Sequence, residues 1–153
     1  MRKKNHHSRL SKLEHVREAL PRLRRHLLRG RLPASNGMNK KLKGIGVDVV
    51  DTERFRALTG ASRAKFVARA FTPLELKYCE KSDDSAERLA GTFAAKEAVF
   101  KAVGGQHFLS YEIRRNKEGK PEVWQKGKRK SSVLLSISHT KGYALAVAVA
   151  VKK

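Results

Sequence analysis

Between residues 10 and 27 apolar side chains recur at three- and four-residue steps, at Leu10, Leu13, Val16, Leu20, Leu23 and Leu27, the period of an amphipathic helix. Pro21 falls inside this stripe, where its missing N–H and its ring break or kink a helix. Gly30 and the run "LPASNG" then read as a stop and a linker. Residues 1–37 are therefore expected to be a basic extension, and residues 38–153 the folded domain.

From Lys43 the period changes. "KGIGVDVV" is β-branched and glycine-bearing, which predicts a buried first strand interrupted by Asp48. A helix is predicted from about Asp51 in "DTERFRAL". In "TPLE" another starts, with Thr72 as cap, Pro73 at the first position and Glu75 completing a capping box. A long helix follows from about Asp84 to Val103, ended by Gly104 and Gly105. Strand character fills the last third: "HFLSYEIRR", "EVWQ", "SSVLLSIS" and "GYALAVAVAV", separated by turns such as "NKEGKP". Short turns imply antiparallel pairing. In the final run Tyr143, Leu145, Val147, Val149 and Val151 alternate with alanines, so one face carries bulk and the other admits a close-packed neighbour. Helices followed by strands predict an α+β domain, an antiparallel sheet packed with helices.

Composition narrows the function. One cysteine, Cys79, excludes an internal disulfide framework and a cysteine-rich zinc site, and it reads as a structural residue in a reducing compartment. No run of about 18 apolar residues occurs, so no membrane span is expected. The expected location is cytoplasmic, with organellar targeting by the Arg-rich, acid-poor extension left open. Sequence upstream of a true start at Met38 is a further reading of that extension. Its histidines, His6, His7, His15 and His26, read as solvated rather than metal-bound. The formal charge of +21 demands an acidic partner. It is spread along the chain, with 11 basic against 2 acidic residues before Met38 and 24 against 12 from there on. A polynucleotide, a phosphorylated small molecule and an acidic protein all satisfy it.

Two carboxylates stand in surroundings that do not suit them: Asp48 in an apolar strand, and Glu97 in the apolar helical stretch "GTFAAKEAVFKA". An unpaired buried carboxylate costs several kcal/mol, so each needs a cation or donors. Structural salt bridges satisfy that need. So does Mg²⁺, which takes one or two carboxylates and completes its shell with water and substrate phosphate. Lys101 lies one turn beyond Glu97, where a phosphate-binding cation is useful. In "SISHT", Ser138 and His139 are adjacent on a strand and point to opposite faces, which suits a nucleophile and base poorly. A hydroxyl-rich turn with an imidazole is better suited to gripping phosphate oxygens.

The segments "GIGVDVVDTERF", "FTPLE", "RLAGTFAAKEAVFKA" and "SISHTKGYALAVAVA", in that order over residues 44–151, resemble the bacterial holo-[acyl-carrier-protein] synthases, small 4′-phosphopantetheinyl transferases. The resemblance implies Mg²⁺ held by Asp48 and Glu97 against the pyrophosphate of coenzyme A, with Lys101 near the transferred phosphate. It also implies Gly104 and Ser138 at the coenzyme, and His139 contacting it across a subunit boundary. Arg54 would meet the acidic helix of the acyl-carrier protein, and the assembly would be a homotrimer. The reaction implied is transfer of 4′-phosphopantetheine from coenzyme A to a carrier-protein serine, releasing adenosine 3′,5′-bisphosphate. Two departures stand out. Thr92 replaces the family's usual arginine, leaving Arg88 as the nearest substitute for that phosphate contact, and the loop after Lys101 is altered. A relative that binds carrier protein without catalysing is one alternative reading. A basic nucleic-acid-binding module is the other, although the chain carries neither an aromatic-rich strand signature nor metal-finger spacing.

Overall fold

The computed structural model describes residues 41–104 and 108–152. The leucine stripe and histidines of the extension, Met38 and Gly105 lie outside the described residues. The elements run β1 (Leu42–Asp51), α1 (Glu53–Arg56), α2 (Gly60–Ala70), α3 (Pro73–Cys79), α4 (Ser85–Val103), a 3₁₀ turn (Phe108–Ser110), β2 (Tyr111–Arg115), β3 (Pro121–Gln125), β4 (Lys128–Arg129), β5 (Val133–His139) and β6 (Tyr143–Val151). The strands form two antiparallel sheets, β1-β6-β5 and β2-β3-β4, so the first strand pairs with the last. The α+β class predicted from periodicity holds. Among the described residues no helix is long and apolar enough to cross a membrane.

Helix α4 organises the domain. Alanine, leucine, glutamate and lysine dominate it, all strong helix formers. Asp84 caps its start by accepting from Glu87 N at 3.1 Å. Gly104 ends it at φ +70°, a left-handed geometry that favours glycine. Its buried face is smooth, with Ala90, Ala94, Ala95 and Ala98 each at 0% exposure. It meets an equally smooth sheet face made by Ala144, Ala146, Ala148 and Ala150 of β6. Small side chains on both layers let the backbones approach closely. Gly44 and Gly46 of β1 carry this to its limit: a Cβ on Gly46 would lie 2.0 Å from the Ala98 carbonyl oxygen, and one on Gly44 2.2 Å from that of Ala102.

The capping box at α3 is present as predicted, with Thr72 accepting from Glu75 N and Glu75 accepting from Thr72 N. Two expectations need correction, and one helix is unexpected. The helix expected through "DTERFRAL" is a single turn, α1, pinned by buried Phe55. Helix α2 was not foreseen; its Phe66 stacks against Phe55, Phe93 and Phe71 with ring centroids 5.5 to 6.2 Å apart. The first strand is buried on one face only. Gly44, Gly46, Asp48 and Val50 face α4, whereas Ile45, Val47 and Val49 are 57%, 47% and 58% exposed. They join the bulky face of β6, where Tyr143 is 60% and Leu145 40% exposed, and Leu134 of β5 at 61%. An apolar strand reads alike whether its second cover comes from its own chain or from another.

Overpacking a tight backbone contact costs about 1–3 kcal/mol or more. Gly46→Ala is therefore expected to lower the thermal unfolding midpoint by several degrees. An unchanged midpoint would show that β1 and α4 have room to part.

Candidate active site

Strand alternation turns Asp48 to the same face as Gly46, toward α4. Lys101, on the α4 turn that Gly46 touches, donates from Nζ to Asp48 Oδ1 at 2.8 Å and to the Val47 carbonyl at 3.0 Å. Glu97 lies one turn before Lys101 on the same side of α4. Its carboxyl is held above the ordinary range, first by burial and then by the nearby Asp48 carboxylate, while Lys101 acts in the opposite sense. The Lys101 ammonium is raised mainly by its hydrogen bond to Asp48. The structure thus brings together Asp48, Glu97 and Lys101 from two elements. Two neighbouring carboxylates are hard oxygen donors fitted to a divalent cation. Among the described residues no group of three or more His, Cys, Asp or Glu could hold a metal, so these two would leave most of the coordination shell to water and substrate.

His139 and Glu87 form a second station. His139 ends β5 on the α4 side of the sheet, and its Nδ1 lies 2.8 Å from Glu87 Oε1 in the first turn of α4. The ten residues from Glu87 to Glu97 cover about 15 Å of helix, so within one chain His139 stands well away from the carboxylate pair. Ser138 points to the other, apolar sheet face. Arg56 ties this end together by bonding Glu53, Asp84 and the Lys141 carbonyl, which joins α1, the α4 cap and the β5–β6 turn. Arg54, on the same short helix, is exposed.

Arg88 and Thr92 belong to a third face. With Lys96 they form a stripe at four-residue steps that looks toward α3 rather than β1. Arg88 donates to the Tyr78 carbonyl at 3.0 Å and stacks 4.8 Å from that ring's centroid. Thr92 is 1% exposed, with its hydroxyl 3.5 Å from Cys79 Sγ. Its position is thus part of the α3–α4 packing.

Sequence reasoning missed the most deeply buried charges. Lys96 and Glu75 form an ion pair at 2.8 Å with both side chains at 0% exposure. Glu75 accepts from Thr72 N at 2.8 Å and from Ile113 N of β2 at 2.7 Å, so one carboxylate joins α3, α4 and β2. The signal available was a charged Lys96 directly after a pair of alanines in an apolar helix.

A family model described as the 4′-phosphopantetheinyl transferase superfamily matches residues 44–148. A holo-[acyl-carrier-protein] synthase of Caldanaerobacter subterraneus subsp. tengcongensis is 39% identical over 119 residues, covering 70% of this chain and 93% of its own. One from Chlorobaculum parvum is 41% identical over 113 residues, covering 69% and 95%. Among solved structures, a holo-[acyl-carrier-protein] synthase of Bacillus anthracis in complex with CoA (3′,5′-ADP) is 33% identical, with a TM-score of 0.61 over 73% of this chain and 98% of that one. That of Helicobacter pylori in complex with coenzyme A is 28% identical, with a TM-score of 0.58 over 71% and 99%.

Cys79 is fully buried, and burial pushes its thiol up to about 11. It should resist a thiol-labelling reagent at pH 8 while the protein is folded and react fully in denaturant. Rapid labelling of native protein would show that α3 opens from α4.

Proposed function

The chain belongs to the 4′-phosphopantetheinyl transferase superfamily, among its holo-[acyl-carrier-protein] synthases, and from that membership we propose that it moves 4′-phosphopantetheine from coenzyme A to a serine of an apo-acyl-carrier protein. The juxtaposition of Asp48, Glu97 and Lys101 carries the reading. Residues 38–153 are the transferase domain on this reading, and residues 1–37 an added extension.

Asp48 and Glu97 are the residues that would hold Mg²⁺, which would supply charge neutralisation at the pyrophosphate. Lys101 exchanges its bond to Asp48 for one to the phosphate that is transferred. The carrier-protein serine oxygen attacks the pantetheine-side phosphorus, the phosphoanhydride bond breaks, and adenosine 3′,5′-bisphosphate leaves. Glu97 is the carboxylate assigned to take up the serine proton. Gly104, Ser138, His139 and Arg88 are assigned to the coenzyme, and exposed Arg54 to the acidic carrier. Ser138 and His139 stand far from the carboxylate pair within one chain, which supports a site completed between subunits of a homotrimer. The uncovered apolar face of β1, β6 and β5 supports the same assembly, because contiguous exposed apolar surface marks an interface.

The transfer is tested by incubating apo-carrier protein, coenzyme A and Mg²⁺ with the protein and weighing the carrier. Wild type should add one phosphopantetheine. Asp48→Ala and Glu97→Ala should slow transfer on the order of a hundredfold or more while remaining folded. Near-normal turnover of either variant at saturating Mg²⁺ would remove it from the metal site. The assembly is read separately by sedimentation: Val47→Glu or Leu145→Glu should convert trimer to monomer. Monomeric wild-type protein would contradict the assembly outright.

A further inference from the structure

Helix α4 and β6 meet through alanines, with Ala90, Ala94, Ala95 and Ala98 on one side and Ala144, Ala146, Ala148 and Ala150 on the other. Such a surface brings backbones close but offers few knobs to fix how far the helix turns about its axis. Large side chains locked into holes normally do that. Elsewhere on α4 Leu89, Val99 and the Phe93 ring supply apolar bulk, and the one wholly buried charge of the helix is Lys96, with Nζ on Glu75 Oε2 at 2.8 Å and 5.3 Å from the Phe108 ring centroid. Glu75 is itself immobilised by the backbone N–H groups of Thr72 and Ile113. Successive residues project about 100° apart around a helix, so fixing Lys96 toward α3 and β2 fixes where Glu97 points.

We propose that the buried Glu75–Lys96 pair is a positioning device for the active site: it sets the rotation of α4 so that Glu97 and Lys101 face Asp48. The inference rests on the reading of Asp48 and Glu97 as a cation site. Neither Glu75 nor Lys96 touches substrate, and both act through the helix. A buried ion pair adds little net stability over a neutral replacement of similar shape, whereas its directionality specifies a single arrangement.

The test replaces both charges in the full chain. In Glu75→Gln with Lys96→Met, the glutamine keeps an acceptor for Ile113 N and the methionine keeps the unbranched length. Mn²⁺ affinity, read from the electron paramagnetic resonance of free Mn²⁺, should fall about 10- to 100-fold, the range for groups that orient metal ligands. The thermal midpoint should stay within about 5 °C of wild type. In turnover, kcat should fall while KM for the carrier protein holds. Glu75→Asp, which keeps the charge but shortens the reach, should also weaken Mn²⁺, and Lys96→Arg should retain more affinity than Lys96→Met. Wild-type Mn²⁺ affinity in a folded double variant or in folded Glu75→Asp overturns the proposal. So does failure of both to fold, since the pair would then be a requirement of folding. Glu97→Gln serves as the control: if it binds Mn²⁺ normally, the cation-site reading fails. If it loses Mn²⁺ while the pair variants do not, only the positioning role fails.

Discussion

Taking a lysine and a glutamate wholly out of water costs several kcal/mol per ion, and their attraction repays it only when geometry and further hydrogen bonds are good. Glu75 and Lys96 meet those terms, because the carboxylate accepts from two backbone N–H groups as well as from the ammonium. The consequence reaches three elements. Helix α3 is capped by the same Glu75, the middle of β2 is fixed through Ile113, and α4 is held at Lys96. Burial lowers the Lys96 ammonium's affinity for its proton, and Glu75 opposes that shift.

On the opposite side of α4 a different constraint operates. Gly44 and Gly46 bring β1 within backbone contact of the helix, and the facing alanines of β6 allow it. Asp48 is thereby carried against the turn of Glu97 and Lys101. A larger residue at Gly46 would push Asp48 away from that turn. The price of this closeness is a strongly interacting trio, in which Lys101 answers Asp48 while Glu97 remains partly uncompensated. That imbalance is what a divalent cation would relieve.

Much of this was legible in the sequence because its causes are local. The alternation of bulk and alanine in "YALAVAVAV" gave both the packing face and the outer face, and "TPLE" gave its capping box. Asp48, Glu97 and Lys101 stood out as charges in apolar runs. What stayed hidden depends on contacts distant in sequence. Glu75 looked complete as a capping residue, and nothing local announces its bonds to Lys96 and Ile113. Nor does anything local announce that Thr92, on the face it shares with Lys96, meets Cys79. Whether the outer face of β1 was covered could not be read from a strand whose two sides are both apolar.

Helix α4 carries the Glu97–Lys101 turn against Asp48 near one end and the Glu87–His139 contact at the other, and the sheet's outer face is exposed and apolar. The most direct measurement is an anomalous-difference map from crystals grown with Mn²⁺ and coenzyme A. A single peak bridging the Asp48 and Glu97 carboxylates, with Lys101 released from Asp48, is the predicted result. Manganese bound elsewhere, with the Lys101–Asp48 pair intact, would contradict it.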